Sequence, residues 1–319
     1  MQNPARLNIT NTGSLALEVN IMRTIHLIQA NLRKAIMSYS FLGCAMLAFT
    51  LFITSSLYYD YNTNCDVSIL RAFFNIDRTN MLQDTQFCLY NVLLKSISGW
   101  MKMFIPMIAS FPFVSFQCTE QISGFKRFSS IRISKHGYNT GTFLSAMLTG
   151  GLVMTVGFAV FSVFSTFMFP SISEFNISMK EDYEWWIPDA HPMFKTLGYP
   201  YLVVLRFFEI FLYGSVAAVP ACFLMCIIKN KYLVTSIPFF FKYILLQHIS
   251  RLQAEAYADY DNIDEQLLAY IKIIDPDSFS QVFSGNEGIW KNVLFYTIIL
   301  LLSYIVYSII MNRRLDYGT

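Results

Sequence analysis

The chain has 319 residues, 55% hydrophobic, 17% aromatic and only 14% charged, with a mean hydropathy of +0.44. A soluble domain of this size needs more polar surface than that to cover itself, and a net charge of +2 supplies no global field for nucleic acid. Charge is gathered into a few segments between long apolar runs, so the expected class is an all-α polytopic membrane protein, a single transmembrane domain over 1–319.

The opening MQNPARLNITNTGSLALEVN has no compact basic region followed by an apolar run and a small-residue cleavage site. It does not read as a secretory signal, and the first apolar run reads as a retained span. Before that run, Ile21, Ile25, Ile28 and Leu32 recur at helical spacing with Arg23, Arg33 and Lys34 off their line. This predicts an amphipathic helix over 15–35, either lying in the membrane interface or serving as a plain helical lead-in.

Six spans follow, over about 37–58, 98–117, 143–169, 200–228, 232–248 and 290–311. Each suits a helix crossing a hydrocarbon core of about 30 Å, although the fifth is short. Runs such as LFYTIILLLSYIVYSII do not alternate as barrel strands do. Pro106 and Pro112 predict a kink in the second span.

Orientation comes from Lys and Arg. Residues 1–36, the 118–138 connection, Lys229 with Lys231, and Arg313 with Arg314 carry twelve cations, whereas the segments 59–97, 170–199 and 249–289 carry seven. The twelve lie in short connections near span ends, where the positive-inside bias acts, so both termini are expected to be cytoplasmic. The three longer segments become outer loops, and they hold 17 of the 21 acidic residues. Trp185 and Trp186 are expected at outer headgroup level, and 249–289 is periodic enough for one or two surface helices. The outer face thus reads as a small cap.

No Gly-x-x-x-x-Gly-Lys, His-Glu-x-x-His or Gly-x-Ser-x-Gly motif occurs, nor any Cys/His set at metal spacing. An enzyme is therefore not expected. Cys65 and Cys88 share an outer loop and could pair in an oxidising compartment or remain two free thiols. Within the spans, Arg206 and Glu209 are three residues apart on one helix face, and Lys242 falls at a comparable depth. Such charges pair or face a polar cavity. They read either as a translocation path or gate, or as a structural pair with snorkelling neighbours.

Between the second and third spans lies CTEQISGFKRFSSIRISKHGY, Cys118 to Tyr138. Cys118, Ile122 and Phe125 are spaced for one apolar face, with Glu120, Ser123, Lys126 and Arg127 elsewhere. This predicts a short amphipathic helix across the cytoplasmic end of the spans, broken at Gly137. The pattern of Glu120, Gly124, Lys126, Arg127 and Tyr138 resembles the permease subunits of type-2 ATP-binding-cassette exporters. The element order and the ending NRRLDYG are similar to that family too, while the first outer loop of about forty residues is longer than its simplest members show.

The resemblance implies that the short helix is a coupling helix, with Glu120, Ile122, Gly124, Phe125, Lys126 and Arg127 touching a separate ATPase subunit. That partner would bind ATP and Mg, with no cofactor in this chain. It also implies a second permease copy or homologue, a bacterial plasma-membrane location, and outward movement of a peptide (for immunity or secretion) or of a hydrophobic compound. The alternative from another class is a non-transporting multi-pass sensor or scaffold.

Overall fold

The computed structural model describes residues 5–60, 65–124, 133–184, 194–257, 265–275 and 289–316. The chain opens with α1 (Ala5–Ile36) and turns through 64° into α2 (Tyr39–Ile53). Ser38 makes the elbow: its hydroxyl accepts from Phe41 N at 3.1 Å, capping α2, and donates to Ala35 O at 2.6 Å. One side chain thus satisfies orphan groups of both helices.

After α2 the structure departs from the expected span 37–58. Helix stops at Ile53, and β1 (Ser56–Asp60) pairs antiparallel with β2 (Cys65–Ser68). Beyond the hairpin come α3 (Ile69–Asn75), α4 (Arg78–Met81), a single 3-10 turn at Thr85–Phe87 and α5 (Leu89–Leu94). These elements form much of a cap over one end of the bundle, called distal below. The hairpin makes the chain mostly helical rather than all-α.

Two long helices follow, α6 (Trp100–Ile122) and α7 (Lys135–Met168). α6 continues through both prolines and runs five residues past the expected end at 117. α7 starts eight residues before the expected 143, because Ser134 caps it by accepting from Gly137 N at 3.2 Å. Gly137 therefore lies inside the helix and does not break it. Its missing side chain makes room for α1 instead, since a Cβ there would stand 2.6 Å from Thr24 Oγ1.

The distal cap is completed by a 3-10 turn at Ile172–Glu174, α8 (Ile177–Glu184) and α9 (Phe194–Leu197). Trp185 and Trp186 lie outside the described residues. α10 (Tyr199–Ala217) and α11 (Val219–Ile227) are nearly continuous through Ala218, α12 covers Lys231–Ala256, α13 Glu265–Ile274 and α14 Ile289–Asp316. α12 thus extends beyond its expected end at 248, and α13 is one of the surface helices foreseen between the last two spans. Among the described residues, five helices are long and apolar enough to cross a membrane: α6, α7, α10 with α11, α12 and α14. The elbow pair α1–α2 would be a sixth.

α7 is the hub, packed against α1, α2, α6, α10 and α14. Its polar side chains do not oppose this, because Ser145, Thr149, Thr155 and Ser162 return their hydroxyls to carbonyls one turn back. Its closest approach is to α10: a Cβ on Gly150 would lie 2.8 Å from Gly214 O, and one on Gly214 2.6 Å from Gly150 O. Only residues without a side chain let two backbones meet so closely.

The core has two parts. Phe52, Phe158 and Phe161 stack in the distal half with Ile105, Ile108, Met154 and Ile210; Phe113, Phe143, Cys222, Met225 and Tyr307 fill the other half. By contrast α12 and α14 present Phe240, Phe241, Ile244, Leu301, Leu302 and Ile305 outward. An apolar surface of that extent suits lipid or another membrane helix rather than water.

Candidate functional site

Two of the three charges expected within spans, Arg206 and Glu209, meet on one face of α10, and the third, Lys242 of α12, reaches that helix one turn further on. Arg206 and Glu209 form an ion pair there, 5% and 0% exposed. Arg206 Nη2 also donates to Leu94 O at 2.7 Å, tying α10 to the end of α5 in the cap. One turn beyond Glu209, Tyr213 accepts from Lys242 Nζ at 2.7 Å, and Lys242 is 8% exposed. The same ammonium stands 5.1 Å from the centre of the Tyr213 ring, which adds a cation–π attraction. Arg206 Nε and Glu209 Oε1 make no hydrogen bond among the described residues.

Sequence spacing placed Arg206 and Glu209 on one face, but the Arg206 contact with Leu94 O and the Lys242–Tyr213 bond are long-range. A phenol four residues beyond an acidic residue on the same helix was the available signal for the second contact.

At the opposite, proximal end, Lys34 Nζ reaches Glu120 Oε1 at 2.5 Å, joining the end of α1 to the last turn of α6. The expected amphipathic helix across this end needs correction. No breaker lies between Cys118 and Gly124, so Cys118 and Ile122 belong to α6 itself. They do not share a buried face: Cys118 is buried, whereas Ile122 is 71% exposed. α6 ends with Ser123 N donating to Thr119 O and Gly124 in the left-handed region at φ 73°, the geometry that favours glycine after a helix. Phe125, Lys126 and Arg127 lie outside the described residues.

Beside this end, an open groove of about 520 Å³ runs between Thr119 and Ile122 of α6 and the Lys229–Tyr232 turn. Deeper in, Gln117 Nε2 donates to the hydroxyl of Tyr138 at 3.2 Å, and Asn139 Nδ2 to Asn312 Oδ1 at 2.8 Å. Thr140 and Tyr304 hydroxyls lie 2.6 Å apart. This polar seam binds α6 and α14 to the hub helix and was not foreseen. Its residues are scattered over three segments, and only Tyr138 had been singled out.

Along α1 the packing stripe is Thr24, Leu27, Asn31 and Ala35, next to the expected Ile21–Leu32 line, whose Ile21 and Ile25 are exposed. That leaves the isoleucines free to face a membrane surface. Cys65 and Cys88 are both free thiols, the first exposed and the second buried at the start of α5, where burial pushes the Cys88 thiol up. The pairing considered from sequence is therefore not formed. Among the described residues no three His, Cys, Asp or Glu side chains gather as a metal site. No protein-family model, no curated protein and no solved structure matches this chain.

Proposed function

We propose that the chain is the permease subunit of an ATP-driven exporter, moving a peptide or a hydrophobic compound outward with work supplied by a separate ATPase subunit. In this reading the proximal end is cytoplasmic and the distal cap external, in a bacterial plasma membrane. A second permease copy or homologue and the bilayer are the other partners.

The observation that carries it is the Lys34–Glu120 contact. It joins an interfacial helix and the last turn of α6, immediately before the Gly124 stop and the basic 126–127 segment. A force applied by a docked motor at the end of α6 passes along that helix and reaches α1 through the ion pair. A chain with no nucleotide motif needs such an element if it is to be driven from outside.

Affinity purification from native membranes tests the reading. The wild-type chain is expected to retain an ATP-binding-cassette ATPase, and Glu120→Ala combined with Gly124→Val to lose it while still extracting as a folded protein. A chain that purifies alone, with its cellular phenotype untouched by both substitutions, is a sensor or scaffold instead.

A further inference from the structure

α2 has 15 residues, about 22 Å of helix at 1.5 Å per residue. A hydrocarbon core of about 30 Å needs roughly 20 residues. The elbow at Ser38 prevents α2 from borrowing length from α1, so the shortfall falls at its distal end. There the backbone becomes irregular, which is tolerated at membrane depth only where protein satisfies it. It is satisfied: Ser55 Oγ donates to Ser96 O at 2.5 Å, Ile69 N to Ser55 O at 3.0 Å and Ser98 Oγ to Ser56 O at 3.0 Å.

α3 sits beside this junction. Ile69 and Ala72 are buried in the core. The Phe73 ring is 6.5 Å from Phe164 of α7, which is itself 5.8 Å from Phe49 of α2. Phe73 is thus linked through one ring to Phe49, a residue four positions short of the end of α2. On the outside of α3, Arg71 and Asn75 form a polar edge one turn long. Next to it Leu70 and Phe74 form an apolar edge, with Phe74 73% exposed, at the same end of the bundle as the outward-facing Val163 and Phe167 of α7.

We propose that α3 is seated in the distal leaflet of the bilayer. Its Leu70–Phe74 edge lies against acyl chains and its Arg71–Asn75 edge among headgroups, so that lipid is the partner of this edge and α3 completes the membrane cover that α2 is too short to provide. The hairpin then places a loop element at the bilayer surface rather than above it. This inference rests on the reading of the bundle as membrane-embedded.

The test uses the full chain in phosphatidylcholine–phosphatidylglycerol vesicles, with Cys65→Ser removing the exposed thiol. A nitroxide is attached in turn at Phe74→Cys, Asn75→Cys, Gln83→Cys in the cap and Phe241→Cys on the outward face of α12. Its collisions with oxygen, enriched in hydrocarbon, are compared with those of a water-soluble nickel chelate. Labels at 74 and 241 are expected to favour oxygen several-fold, and those at 75 and 83 to favour nickel. If 241 favours oxygen while 74 behaves like 83, α3 stands in water and the proposal falls with the bundle intact. Oxygen preference at both 74 and 75 also overturns it, because the helix would then lack a headgroup edge. Nickel preference at 241 sinks the membrane-embedded reading itself.

Discussion

Arg206–Glu209 and Lys34–Glu120 each join a cation to a carboxylate, but the first is sealed in the bundle and the second lies at its rim, with side chains 47% and 21% exposed. Inside, the desolvation penalty roughly cancels the attraction, so the pair adds little net stability, yet removing one partner strands a charge. At the rim, water and salt screen the contact to between about 0 and 1 kcal/mol. The buried pair therefore behaves as a rivet between α10 and the cap, while the rim pair can open and close at thermal cost.

The largest effect is expected from breaking the rivet on one side. Glu209→Ala should cost about 3–5 kcal/mol, seen as a lowered unfolding midpoint or loss of monodisperse protein after detergent extraction. The double change Arg206→Met with Glu209→Leu should restore most of it. If the double variant folds yet no longer transports, the pair lies on the substrate's route and the rivet interpretation is wrong.

Lys242→Met comes next, because it removes one buried hydrogen bond and leaves the Tyr213 hydroxyl without that donor. A loss of about 1–3 kcal/mol is expected by the same measurement. Lys34→Ala should change stability by at most about 1 kcal/mol, and by less in high salt. If the exporter reading holds, it should nevertheless weaken stimulation of the partner ATPase, and the exchanged pair Lys34→Glu with Glu120→Lys should recover it. Unchanged stimulation in Lys34→Ala would remove the rim pair from the coupling scheme.

The smallest effect belongs to a third pair, in the cap. Arg78 donates to Glu174 at 2.7 Å and holds its carboxyl below the ordinary glutamate range. The folded chain thus binds that proton more weakly than the unfolded chain. The contribution is complete above the ordinary value of about 4.3 and disappears as pH falls through the folded value. Unfolding midpoints of wild type and Arg78→Ala should differ slightly at neutral pH and converge in acid. A gap that widens in acid would reverse the sign of this account.

Apolar runs made five helices of membrane-crossing length legible from residues alone, and the Arg206–Glu209 spacing was readable because it needs only one helix. Termini were less legible. The end of α2 at Ile53 is set by Ser55 and its partner Ser96, forty-one positions away in sequence, and no local breaker announces it. Gly137 looked like punctuation before the third span; with Gly141 it is instead where α1 lies on α7, since a Cβ on Gly141 would meet Leu27 Cδ2 at 2.8 Å. The same residue type ends a helix at 124 and packs one at 137. Only the neighbour across the interface distinguishes the two uses.

The meeting of Gly150 and Gly214 has a mechanical meaning. Two helices in contact through long side chains can slide, because rotamers rearrange to follow. Here backbone rests on backbone, with Ala218 Cβ beside it and Ala109 O approaching from α6. Translation along either axis would drive a neighbouring side chain into a carbonyl, and Gly151, lying against Phe211 and Ser215, holds the next turn of the same seam. The contact is a stop: it resists slippage of α7 along α10 and keeps the two helices in register.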